Sequence, residues 1–180
     1  MTNEVVATPY LSSQDEEIYF AYGSNMLSCR LQERVPSARA LGVATLSGHQ
    51  LLWHKVSKKD GSGKCDVVAA TPEAEVYGVL FGIAQAEKPK LDAAEGLGAG
   101  YAERQVVVVL GGRPVTATMY YATNINAELR PYSWYRELVV AGAREHGLPA
   151  AYLAALEDVP VLQDPDAKRH AEHMALVAGR

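Results

Sequence analysis

Two cysteines are all that the 180 residues contain, and Cys29 and Cys65 lie far apart with no Cys-x-x-Cys spacing. That excludes a disulfide framework or a zinc knuckle and points to a reducing, cytoplasmic setting. Positive charge is also scarce. Seventeen Lys and Arg against 21 Asp and Glu leave a formal charge of −4, with no basic run, so nucleic acid is not an expected partner. Long apolar runs are missing as well: the uncharged stretches are strand-sized, and no membrane span is expected. Met1 to Gln14 lack the basic start and apolar centre of a signal peptide, so residues 1–17 read as a flexible leader. No internal repeat is visible, and nothing in the chain signals an oligomeric state. What remains is globular composition, 48% hydrophobic and 21% charged, in a length suited to one domain.

The stretch Ile18-Tyr19-Phe20-Ala21-Tyr22-Gly23-Ser24-Asn25-Met26 runs from an aromatic strand into glycine and helix-starting residues without a spacer. It reads as strand, tight turn, helix. Gly23 offers backbone angles closed to other residues, and either Ser24 or Asn25 can cap a helix running to about Arg34, before Pro36. Such a turn gathers free N–H groups at one spot and suits a carboxylate or a developing oxyanion. An ordinary strand-to-helix connection would look the same in isolation.

Further along, alternation predicts strands over Ala38–Leu46 and Gly48–Val56, joined at Ser47-Gly48, and a second pair, Val67–Ala70 and Val76–Ile83, joined across residues 71–75. Residues 57–64 are polar and glycine-rich, hence an exposed, mobile loop that borders a site without doing chemistry. Gly78 and Gly82 signal bends or close packing. A helix over Ala86–Glu95 should end at Gly96, and Tyr101–Leu110 should turn at Gly111-Gly112 into Val115–Ala122. The last third takes helical period: Pro131–Glu145 up to Gly147, a helix from Pro149, and another within 166–178. Consecutive hairpin-like strands with few helices between them argue against a doubly wound sheet. The expected fold is α+β: a small, mostly antiparallel, partly closed β-barrel with flanking helices and the Gly23 turn at its mouth.

Among chemically active residues, Glu95 stands out. It closes a predicted helix whose face carries Leu91 and Ala94, and a glycine-rich loop follows. The negative end of a helix and partial burial are surroundings that suit a group exchanging protons near neutral pH. A solvated acid at a helix end is the bland alternative. His49, His54 and His146 fall on separate elements, and His170 and His173 share a helix face without a third ligand; all five read as surface histidines, and no metal is expected. Ser24 lacks a Gly-x-Ser-x-Gly elbow and assignable His and Asp partners. Cys29, at helical spacing from Met26 and Leu27, reads as a packed thiol, and Trp53 and Trp134 as core or rim aromatics.

Together, Tyr19 to Met26, Asp92-Ala93-Ala94-Glu95-Gly96, Gly100-Tyr101 and Ala143-Arg144-Glu145-His146-Gly147-Leu148-Pro149 closely resemble the γ-glutamylcyclotransferase family, also called AIG2-like or BtrG-like. The resemblance runs from about Ile18 to Tyr152. It implies a domain over 18–157, with 158–180 as a tail carrying a helix. It also implies a barrel with flanking helices and cleavage of a small γ-glutamyl amine or amino acid to 5-oxoproline and free amine, without cofactor. By that likeness Glu95 is the acid/base; Tyr22, Gly23, Ser24, Asn25 and Met26 form the substrate-binding loop; and Tyr101, Tyr120 and Tyr135 are pocket tyrosines, with Tyr121 and Tyr132 as neighbouring alternatives. Glutathione-specific members carry leucine where this chain has Asn25, which argues against a glutathione-only enzyme. A non-catalytic binding module on the same fold, or an enzyme that hydrolyses or opens a related amide or lactam, are the competing readings.

Overall fold

A computed structural model describes residues 15–179; the expected leader falls largely on 1–14, outside the described residues. Five strands close a barrel: β1 (Glu16–Ala21), β5 (Glu75–Ala84), β2 (Arg39–Ser47), β6 (Tyr101–Leu110) and β7 (Arg113–Ala122), in that spatial order. Every neighbouring pair is antiparallel except the closing one, where β1 meets β7 in parallel at Tyr19 and Thr118. Closure removes the exposed edges that an open sheet of this size would present. Phe20, Val79, Leu80, Phe81, Val108 and Met119 are fully buried among the core residues.

The β6–β7 hairpin follows the sequence expectation closely. Leu110 pairs with Arg113 across Gly111-Gly112, whose φ angles of 55° and 78° are those a two-residue turn demands and side chains resist. The other strand pairings differ. β3 (His49–Val56) does not pair with β2, nor β4 (Gly63–Ala69) with β5; β3 and β4 pair with each other as a separate two-stranded ribbon. Both edges of β5 are already occupied by β1 and β2, so the 71–75 link is not a hairpin turn. Gly48 instead exchanges hydrogen bonds with this link: its N–H donates to Ala74 and its carbonyl accepts from Ala70. The ribbon is fastened to β7 through Asp66, whose Oδ1 accepts from the Ala122 N–H at 2.8 Å and whose Oδ2 meets His54 Nε2 at 2.7 Å. Gly78 and Gly82 do mark close packing: a Cβ at Gly78 would lie 2.5 Å from the Ala21 carbonyl oxygen, and one at Gly82 would meet the Glu16 carboxylate.

Helices α1 (Ser28–Arg34), α2 (Lys88–Glu95), α3 (Ser133–His146), α4 (Ala150–Glu157) and α5 (Ala167–Ala178) flank the barrel. Gly96 and Gly147 stop α2 and α3 in the left-handed conformation, as expected of glycine there. On α3, Leu138, Val139 and Ala143 are fully buried, giving the helix its core-facing side. α5 packs on α3, and the junction is made by a buried acid: Asp164, with no exposed side-chain surface, accepts from Trp134 Nε1 at 2.8 Å, Arg169 Nε at 2.6 Å and the Asp166 N–H at 2.8 Å. The hydrogen bonds from Arg169 above all, with those of Asp166 and Trp134, outweigh burial and hold the Asp164 carboxyl well below the usual carboxylate range.

A depressed acid contributes stability that is complete above its unfolded value, about 3.9, and that disappears as pH falls toward its folded value. The melting temperature should therefore drop on acidification below about pH 4, and Asp164→Asn should make that drop shallower while lowering stability at neutral pH. Identical acid slopes for parent and variant in thermal melts would remove Asp164 from the acid response.

Candidate active site

The Gly23 turn is built differently from its sequence reading. Residues Ser24–Met26 form one 3-10 turn, closed by bonds from the Met26 N–H to Gly23 O and from the Leu27 N–H to Ser24 O, and α1 starts only at Ser28. Neither Ser24 nor Asn25 caps a helix. Each side chain is engaged across the site instead: Ser24 Oγ accepts from Arg30 Nε at 3.1 Å, and Asn25 Nδ2 donates to Glu95 Oε1 at 2.6 Å. Gly23 has φ −113° and ψ −141°, not the left-handed conformation but outside the β and α regions that side-chain-bearing residues favour. Space is short there as well. A Cβ at Gly23 would sit 3.2 Å from both Cys65 Cβ and the Tyr135 hydroxyl. The N–H groups of Ser24 and Asn25 have no acceptor among the described residues.

Glu95, at the C-terminus of α2, is brought to the turn by the packing of α2 beside α1. Its Oε1 takes a second bond, from Arg34 Nη1 at 3.1 Å, and the same nitrogen lies 3.1 Å from Asn25 Oδ1. Glutamate, asparagine and arginine thus form a closed triangle. The Glu95 side chain is 14% exposed and that of Arg34 24%, so the acid is sheltered yet reachable from solvent.

Above the triangle lies a narrow cavity walled by Tyr19, Tyr22, Tyr101, Tyr120 and Tyr135, with Gly23, Ser24, Asn25, Cys65 and Glu95 completing it. The hydroxyls are fixed by hydrogen bonds: Tyr22 donates to Tyr120 O at 2.6 Å, Tyr101 to Cys65 O at 2.7 Å and Tyr120 to Asp92 Oδ1 at 2.5 Å, while Tyr135 accepts from the Cys65 N–H at 3.1 Å. Burial, more than any other influence, raises the pKa of all five phenols. They stay neutral at physiological pH and serve as donors and acceptors rather than as bases. Burial likewise pushes the Cys65 thiol up, so it is not a ready nucleophile.

Of the residues expected from sequence, Tyr22, Gly23, Ser24, Asn25, Glu95, Tyr101, Tyr120 and Tyr135 converge on this cavity. Met26 does not line it: it is fully buried under Gly142, and its carbonyl accepts from His146 Nε2 at 2.9 Å. Tyr121 and Tyr132 are absent from the cavity wall. Sequence reasoning missed Arg34, whose only linear signal is its place two turns along the helix after Asn25, and gave no role to Tyr19. It also misjudged the histidines. His54 is bonded to Asp66, the His146 ring stands edge-on to Phe81, and His173 stacks on Trp134 at 3.8 Å, so these three are packed rather than surface groups. Among the described residues no group of three or more His, Cys, Asp or Glu side chains is placed to hold a metal ion.

The cavity opens past Ser24, Glu95, Tyr101 and Tyr135 into a cleft of about 390 Å³. The 57–64 loop forms part of its wall, and the loop is neither loose nor wholly exposed. The Ser57 N–H donates to Ser62 O, the Gly61 N–H to Ser57 O, and Ser62 Oγ to Asp60 at 2.7 Å, while Ser57 and Ser62 are buried. Lys64 completes the knot, bonded to Asp60 at 3.0 Å and lying 4.5 Å from the centre of the Trp134 ring. Its ammonium is pulled down to about 8, chiefly by burial.

Gly23→Val is expected to force Cys65 and the Tyr135 hydroxyl apart, at a cost of about 1–3 kcal/mol in a well-packed wall. Ser24→Ala should be milder. Unchanged ligand affinity by calorimetry in a folded Gly23→Val protein would show that the turn does not cradle the ligand.

The comparisons with known proteins agree with this architecture. A model of the AIG2-like family matches residues 75–156. Bovine γ-glutamylcyclotransferase is 33% identical over 156 residues, spanning 83% of this chain and 82% of its own, and the human enzyme of that name is 32% identical over the same shares. A solved structure described as a γ-glutamyl cyclotransferase superposes with a TM-score of 0.84 at 28% identity, covering 92% of this chain and all of the other. With a barrel of the same build and a third of its residues shared along most of both chains, the protein belongs to the γ-glutamylcyclotransferase family of enzymes.

Proposed function

We propose that the protein converts a small γ-glutamyl amine or γ-glutamyl amino acid to 5-oxoproline and free amine, with Glu95 as the general acid and base. The observation that carries this reading is the position of Glu95, on the border of the tyrosine cavity and the open cleft and bonded to Asn25 of the turn. The γ-glutamyl unit occupies the cavity. The Tyr19 and Tyr135 hydroxyls, which accept bonds and keep their own hydrogens, and the N–H groups of Ser24 and Asn25 are the available donors for its α-carboxylate and for the carbonyl oxygen as it gains charge.

The α-ammonium gives a proton to Glu95, and its nitrogen attacks the γ-carbonyl of the same molecule, forming a five-membered ring. The tetrahedral centre then collapses with cleavage of the original C–N bond: the departing nitrogen takes the first proton back from Glu95, and the second proton shed by the ring nitrogen follows by the same carboxylate, so the amine leaves as an ammonium and Glu95 ends ionised as it began. One C–N bond forms, one breaks, and no water is consumed. Arg34 and Asn25 hold the carboxylate in one orientation while the proton moves out and back. Incubation with a panel of γ-glutamyl amino acids, γ-glutamyl amines and glutathione should release 5-oxoproline from at least one of them. Release of glutamate in its place would make the reaction a hydrolysis and overturn the cyclisation.

A further inference from the structure

The cleft beyond Glu95 collects positive charge in a chain whose formal charge is −4. Seven cationic side chains line it: Arg30 and Arg34 from α1, Lys55 from β3, Lys58 and Lys59 from the loop, Lys64 from β4 and Arg169 from α5; against them stand two carboxylates, Asp60 and Glu95. Arg34 is paired with Glu95, Lys64 with Asp60, and Arg169 with Asp164. The remaining four, Arg30, Lys55, Lys58 and Lys59, have no ion pair among the described residues. Arg30 reaches only Ser24 Oγ and, at 3.5 Å, the His173 ring; Lys55 Nζ lies 4.5 Å from the centre of the Tyr101 ring.

Such crowding is unfavourable without a counter-charge. Burial first, then the neighbouring Arg34, draws Arg30 down to about 10, and burial followed by Arg30 and Lys64 draws His173 down to about 4. His173 is therefore neutral at physiological pH and adds no charge of its own. Asp60 is the one acid on the far wall, and Lys64 already occupies it.

We propose that this cleft selects γ-glutamyl compounds whose leaving amine carries two or more negative charges, with Arg30, Lys55, Lys58 and Lys59 as the specificity-determining cations. The inference rests on the cyclotransferase reading above, which puts the γ-glutamyl unit in the tyrosine cavity and so directs the leaving group past Glu95 into the cleft. An ordinary amino acid brings one carboxylate and leaves most of the four cations without a counter-charge; an uncharged amine brings none. A leaving amino acid with an acidic side chain supplies two. A cleft lined by one sign of charge also concentrates such a substrate before it binds.

The test is kcat/KM for γ-glutamylglutamate, for γ-glutamylglutamine, which has the same heavy-atom framework with one charge fewer, and for γ-glutamylbutylamine. The expected order follows the charge of the leaving group. A preference of about tenfold or more for the glutamate compound over the glutamine compound is expected at low ionic strength, shrinking as salt is added. In K55Q/K58S/K59S, and to a lesser extent in the fully surface variant K58S/K59S, that ratio should fall toward one. Equal kcat/KM for all three substrates, with 5-oxoproline as product, would overturn this inference and leave the cyclotransferase reading standing. So would a preference that persists undiminished in high salt and in both variants. Absence of 5-oxoproline from every substrate would overturn both.

Discussion

Glu95→Gln is expected to lose on the order of a hundredfold to ten-thousandfold in kcat, the range over which a positioned acid/base group contributes, with a much smaller change in substrate affinity. Glutamine keeps the size of the side chain and an oxygen for Asn25 Nδ2 and Arg34 Nη1, both of which now converge on Oε1. It cannot take up the proton from the substrate's ammonium or return it to the leaving nitrogen. The structural cost is modest. Arg34 loses its counter-charge in a partly sheltered pair, worth roughly 1 kcal/mol, so the variant should melt within a few degrees of the parent. A folded Glu95→Gln protein that releases 5-oxoproline at close to the parental rate would take Glu95 out of the mechanism. Steady-state kinetics beside a thermal melt decides between these results.

Acetylation of the substrate's α-amino group should abolish turnover altogether. The proposed nucleophile is that nitrogen, and an amide nitrogen has no basic lone pair with which to attack. The loss also discriminates between mechanisms, because a hydrolase needs only the γ-carbonyl and a water. Intramolecular attack gains its advantage from holding both reacting atoms in one folded molecule, worth effective concentrations on the order of 10⁵ M or more in well-oriented systems. Turnover of the N-acetylated compound, with N-acetylglutamate as product, would show that water attacks and that ring closure plays no part.

Much of this molecule was legible where the determining interactions are local. The β6–β7 hairpin could be read because its two glycines specify a turn and the turn specifies the register from Leu110–Arg113 to Tyr101–Ala122. Helix ends at Gly96 and Gly147 were readable for the same reason. Alternation, by contrast, says that one face of a strand is buried but not against which strand, so β2, β3, β4 and β5 were given their sequence neighbours as partners. The barrel as a class survived that error, since any closed antiparallel arrangement buries the same faces.

At the site, the family resemblance named the turn, the acid and the three tyrosines, and all of these residues but Met26 do meet. What it could not supply is the physical reason for each. Asn25 looked like a cap because asparagine before a helix usually is one. Its side chain instead spans to Glu95, a contact between residues 70 positions apart. Gly23 stood out for its backbone freedom, and the crowding by Cys65 and the Tyr135 hydroxyl adds a steric reason that no linear pattern shows. Arg34 and the basic cleft were illegible because positive charge is spread thinly along the sequence and gathers only when α1, β3, β4, α5 and the 57–64 loop come together.

The self-bonded knot at residues 57–64 has a bearing on how this enzyme could diversify. Hydrogen bonds within it run from Ser57 to Ser62, from Gly61 to Ser57 and from Ser62 to Asp60, and two more tie it to the chain before α3, from the Gly63 N–H to Arg130 O and from the Tyr132 hydroxyl to Asp60 O. It leaves the ribbon at Val56 and rejoins it at Gly63, which are paired neighbours in the β3–β4 register. The segment's two ends are anchored side by side, and among the described residues no hydrogen bond links it to the Glu95, Asn25 and Arg34 triangle, which belongs to α1, α2 and the turn before them. If the cleft selects the leaving amine as proposed, substitutions at the exposed Lys58 and Lys59 would shift which amines depart while the contacts around Glu95 stay as they are.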